Sequence, residues 1–132
     1  LEEAGSVFLA WFTYDVDHPP DEAVATVGHP SQRWLVASGP FAGDTVAMDV
    51  FNYGGGAFDS VDPPVPAPDI VGTLTVTWEN CNAATVRYDI EPVGAGLIPI
   101  RRVANDNVPL CEMLEAENNG KTMDHRQVGG FD

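Results

Sequence analysis

Val71–Glu79 reads VGTLTVTWE, and after Asn80-Cys81-Asn82 the chain resumes as Ala83–Ile90, AATVRYDI. Leu74, Val76 and Trp78 alternate with Thr73, Thr75 and Thr77 in the first run. In the second, Ala84, Val86, Tyr88 and Ile90 alternate with Thr85, Arg87 and Asp89. A period of two sends each apolar set to one face of a strand, the pattern of an antiparallel pair with one face buried and one wet. Asn and its neighbours close such pairs because they tolerate turn geometry and bond their own backbone. The segment therefore predicts a β-hairpin, and a hairpin without a helical crossover points to an antiparallel architecture.

The flanking sequence repeats the pattern. Thr45–Tyr53 groups Val46, Met48 and Val50 against a mixed face of Thr45, Asp49 and Phe51. Arg33–Ser38 sets Trp34 and Val36 on one side and Leu35 and Ala37 on the other, and Gly39-Pro40 predicts the turn after it. Leu97–Val103 carries Ile98 and Ile100 opposite Arg101, while Val7–Tyr14 is apolar on both alternating sets, which predicts a central strand covered on both faces. Gly54-Gly55-Gly56 lacks the Lys-Ser/Thr of a phosphate-binding loop and predicts a strand end or bulge. Pro63, Pro64, Pro66 and Pro68 make 62–69 a donor-poor connection. Leu110, Met113 and Leu114 at i, i+3 and i+4, opened by Asn107 and Pro109, predict a short helical stretch over 110–117. The fold class predicted is all-β: an antiparallel meander forming a sandwich or small barrel, with one short C-terminal helical turn. It occupies a single domain, 1–117, and 118–132 reads as a polar tail or linker.

Composition narrows the partners. The chain has 132 residues, the size of one hydrophobic core. Six basic against twenty acidic side chains leave a formal charge of −14, which repels phosphate backbones and anionic lipid and argues against nucleic acid. No apolar run reaches the ~18 to 20 residues of a membrane span. Cys81 and Cys111 lack the spacing and companions of a four-ligand zinc site. A single disulfide is their simplest use, which implies an oxidising, extracytoplasmic location; two buried reduced thiols are the alternative.

Several stretches carry a resemblance. They are Gly5–Asp15 (GSVFLAWFTYD), Arg33–Ala37 with Gly39, Gly43-Asp44-Thr45, Gly55-Gly56 with Phe58-Asp59, Gly72-Thr73, Cys81-Asn82, Ile98–Val103 (IPIRRV), Asp106-Asn107 and Cys111-Glu112. Together they resemble an uncharacterised β-rich domain recurrent in exported bacterial proteins, over roughly residues 5–112. The resemblance implies an extracytoplasmic β module, with the cysteines positioned to pair. It also implies a Gly- and aromatic-rich strand ahead of the Trp-Phe-Thr-Tyr-Asp segment, a first element missing here, so that the sheet would expose an edge. It brings no catalytic residue and no ligand.

Candidate sites remain sparse. Asp15, Asp17 and Asp21 offer hard oxygens from one short stretch and make calcium the one candidate cofactor, although the spacing is not that of an EF-hand. The same loop, Asp15 to Glu22 with His18 and His29 nearby, holds the only dense set of titratable side chains and is the candidate site for a hydrolase. Solvated loop charge is the simpler explanation of the stretch, because acids in an acidic chain cluster by chance. Trp11, Phe12, Tyr14, Trp34, Phe51, Tyr53 and Trp78 could form a stacking platform, but rings of this kind are more often core, and Trp11 and Trp78 fall on inward-looking sets. Phe51 and Tyr53, with Asn52, are the expected partner contacts. The expectation is a non-catalytic extracytoplasmic binding or assembly module that meets a protein or glycan. Its rivals are an accessory structural subunit of a larger surface or membrane-associated complex, and the loop hydrolase.

Overall fold

The computed structural model describes residues 5–16, 32–54, 59–62 and 64–127. Its strands are β1 (Ser6–Tyr14), β2 (Gln32–Pro40), β3 (Thr45–Tyr53), β4 (Asp69–Trp78), β5 (Ala83–Ile90) and β6 (Gly94–Arg101), followed by one helix, α1 (Val108–Gln127). The six strands form one sheet in sequential order, every pair antiparallel. The sheet curls into a half-barrel. Of the two layouts expected, this is the barrel-like one, left open between β1 and β6.

The hairpin sits where the alternation put it. In β4 and β5, Leu74, Val76, Ala84, Val86 and Ile90 are buried, while Thr73, Arg87 and Asp89 face solvent. Asn80 builds the turn, its Oδ1 accepting from the N–H groups of Asn82 (2.9 Å) and Ala83 (3.0 Å). Leu35, Ala37, Val46, Met48 and Val50 complete the core from β2 and β3, with Val7, Leu9, Trp11 and Ile98 packed at its margins. The core therefore fills the concave face, which also holds the inward-facing alternates of every strand. A register shift between Val50 and Phe51 marks a bulge on β4 with Val71 as the extra residue, which turns Ile70 outward opposite Phe51 although it shares parity with the buried Leu74.

Sulfur chemistry ties the end of the sheet to the helix. Cys81 in the β4–β5 turn is bonded to Cys111 in the first turn of α1, with Cα atoms 5.9 Å apart, so the alternative of two reduced thiols is set aside. Arg102 reinforces this corner, its Nε donating to the Cys81 carbonyl at 2.6 Å and its N–H to the Asn82 carbonyl at 3.0 Å.

Three expectations are corrected. β1 is an edge strand rather than a central one: among the described residues it pairs only with β2, and its outward set is solvent-exposed. Gly39-Pro40 does not turn the chain but continues β2. The reversal is made by Phe41–Asp44, where Gly43 takes φ 67°, a conformation that costs a residue with a Cβ. The helix begins where Asn107 and Pro109 suggested, yet it runs to Gln127, through much of the stretch read as a polar tail.

Candidate functional site

Sidedness follows from strand pairing. Phe8, Phe12 and Tyr14 on β1 point away from the core, as do Trp34 and Val36 on β2, Phe51 and Tyr53 on β3, and Ile70 on β4. Phe12 and Trp34 are directly opposed and stack, their centroids 5.6 Å apart and their planes at 28°. Trp34 is opposed in turn to Tyr53, so an aromatic row crosses three strands. Exposure is high: Phe8 70%, Phe12 74%, Tyr14 75% and Ile70 62%. Soluble proteins seldom leave a contiguous apolar area of this kind uncovered unless it meets something. The rest of the convex face is different in kind, lined on β4 and β5 by Thr73, Thr75, Arg87 and Asp89.

A second apolar feature opens at the seam of the half-barrel. Leu9, Trp11, Leu74, Val86, Ile98 and Ile100 line a cavity of about 200 Å³. Beside it Trp11 meets Tyr88 edge-on, centroids 5.6 Å apart, spanning the interior from β1 to β5. Tyr88 reaches this position by lying over Gly96, its cross-strand partner on β6.

The residues expected to contact a partner separate. Tyr53 lies exposed in the aromatic row, and Phe51 is half-buried on the same face. Asn52 alternates inward opposite Leu35, where its Oδ1 is buried without a hydrogen-bond partner. The exposed Asp15 spends one carboxylate oxygen on the N–H of Val16 at 2.8 Å. Asp17, Asp21, Glu22, His18 and His29 lie outside the described residues, so the calcium and hydrolase expectations gain no geometry. Among the described residues, the cluster with metal-ligand proximity is Cys81, Cys111 and Glu115, whose two sulfurs are consumed in the disulfide. Among the described residues, no helix is long and apolar enough to cross a membrane.

Trp11 and Trp78 are half-buried and inward, as the alternation predicted, with Phe41 tilted against Trp78 at 5.2 Å. Phe8 was not among the aromatics singled out from the sequence. Its signal lay in the same alternation as Phe12 and Tyr14, but a strand apolar on both sides reads as doubly buried whenever its edge position is unknown. Against protein-family models, curated proteins and solved structures alike, the chain has no match.

Proposed function

We infer that this protein is a non-catalytic binding or assembly module that docks a second protein on the aromatic half of its convex face and works outside the cytoplasm. One observation carries the reading: the exposed row of Phe12, Trp34 and Tyr53, extended by Phe8, Tyr14 and Ile70. Ring faces flanked by aliphatic side chains suit a protein better than a glycan, whose hydroxyls call for convergent polar groups among the rings. The chain as a whole carries −14. The fitting partner therefore presents an apolar centre with a basic rim. The Cys81–Cys111 bond supports an oxidising compartment, where such bonds persist.

The test is a photo-crosslinking amino acid at position 34, in the middle of the row, and the same label at position 75 on the polar half. Labelling in the source cell is expected to give a discrete adduct with a different protein from position 34 and none from position 75. Equal adducts from both positions, no adduct, or an adduct with the chain itself alone would overturn the reading.

A further inference from the structure

We propose that the edge of β1 left unpaired among the described residues pairs antiparallel with β1 of a second copy of this chain, in a register centred on Ala10, joining two half-barrels into one continuous sheet. The inference goes beyond the docking of a foreign protein, because it concerns the strand's edge rather than its outer face.

Hydrogen-bond parity sets which groups are free. The Phe41 N–H donates to the Gly5 carbonyl at 3.0 Å, and these residues extend the register in which Ser6 opposes Pro40. In an antiparallel pair, bonded and non-bonded positions alternate. Val7, Leu9, Trp11 and Thr13 therefore direct their backbone groups at β2, and Ser6, Phe8, Ala10, Phe12 and Tyr14 direct theirs at the open side. A second β1 can bond only in registers that oppose even residues to even residues. The register centred on Ala10 opposes Ser6 to Tyr14 and Phe8 to Phe12 of the other copy, so it engages every outward N–H and C=O of the strand.

The side chains agree with that register. On the outer face, Phe8 lies against Phe12 of the other copy, with the small Ala10 at the two-fold axis. On the inner face, Leu9 opposes Trp11 and Val7 opposes Thr13, so aliphatic and aromatic groups meet at the seam cavity that Leu9, Trp11, Ile98 and Ile100 line. Such self-complementarity is what a two-fold interface requires. Charge selects the same edge: Ser6–Tyr14 contains no Asp, Glu, Lys, Arg or Pro, whereas each copy carries −14 overall. Asp15 falls opposite Gly5, not opposite another carboxylate.

The other free edge is guarded. The Arg102 N–H bonds to Asn82, which assigns the even residues of β6 to β5 and turns the odd ones outward. Pro99 is one of these and has no donor, and Arg101 adds a charge, the devices that keep an edge strand from pairing. β1 has neither. Nine residues at about 3.4 Å each give an edge of about 30 Å, an interface at the small end of the specific range, so the dimer is expected to depend on concentration.

Sedimentation of the purified chain across a micromolar-to-millimolar series tests the proposal. The average mass is expected to rise from one copy towards two, and to do so at lower concentration in high salt, which screens the like charges. Ala10→Pro, which removes an N–H that β2 does not use, is expected to raise the dissociation constant at least about tenfold. Two exposed-site double variants check the register independently of any proline effect. Phe8→Glu with Phe12→Glu, and Phe8→Lys with Phe12→Lys, should each stay monomeric alone and form a one-to-one dimer when mixed. A wild-type chain that remains one copy throughout, variants that dimerise like wild type, or a mixture that fails to pair would each overturn it. The foreign-partner reading is tested separately, because Ala10→Pro leaves position 34 free to crosslink.

Discussion

Gly96 leaves no room for a side chain at the seam. A Cβ there would collide with the Tyr88 ring, which lies across the glycine on its way to Trp11. Glycine in a strand interior is unfavourable in itself and marks such close approaches. Gly96→Val is expected to destabilise the fold by about 1 to 3 kcal/mol through forced repacking. The Trp11 environment should change with it, read as a shift in tryptophan fluorescence before unfolding. A variant with wild-type stability and emission would show that Tyr88 does not depend on the gap. At this scale the alternation in β3, β4 and β5 was readable directly, since Val46, Val50, Leu74 and Val76 are buried where a period of two places them. Asn52 continues the inward set of Val46, Met48 and Val50, so its side was readable too, and only its polarity pointed the other way. Ile70 was not readable: the register shift leaves Val71 as the extra residue on β4 and turns Ile70 outward, and a bulge displaces the alternation without leaving a mark in hydrophobicity.

At the scale of elements, α1 stands apart from the sheet. Leu110, Met113 and Leu114 remain about half-exposed, so its apolar stripe buries little, and Gly120 falls within it. A helix of twenty residues with weak packing is marginal in water. Its anchor is Cys111. Reduction is expected to cost about 3 to 4 kcal/mol on the chain-entropy account, because the bond closes a loop of 30 residues in the unfolded chain. Ellipticity at 222 nm should fall at reductant concentrations that leave the tryptophan near-UV signal of the sheet intact. Simultaneous loss of both signals would mean that α1 and the sheet form one cooperative unit. The helix start was legible in Asn107 and Pro109. Its length was not, because Asn118, Asn119 and Gly120 read locally as an end, whereas continuing the backbone bonds past them costs only about 1 kcal/mol for the glycine.

For the whole molecule, charge and apolar surface act in opposite directions. Two copies at −14 repel, and a basic partner is drawn in. Raising the salt concentration is therefore expected to strengthen self-pairing at β1 while slowing association with a basic partner at the aromatic row. Sedimentation and stopped-flow measurements on the same preparation would separate the two. Salt effects of the same sign on both would sink the electrostatic part of the account.

Composition and alternation alone determined an acidic, antiparallel β chain with the hairpin at 71–90 and two cysteines able to pair, because strand periodicity and turn chemistry are local. Only the tertiary structure decided that the sheet stays open and that β1 lies at its rim. It likewise decided that Phe8, Phe12 and Tyr14 face water, since which face of a doubly apolar strand is covered depends on neighbours distant in the chain.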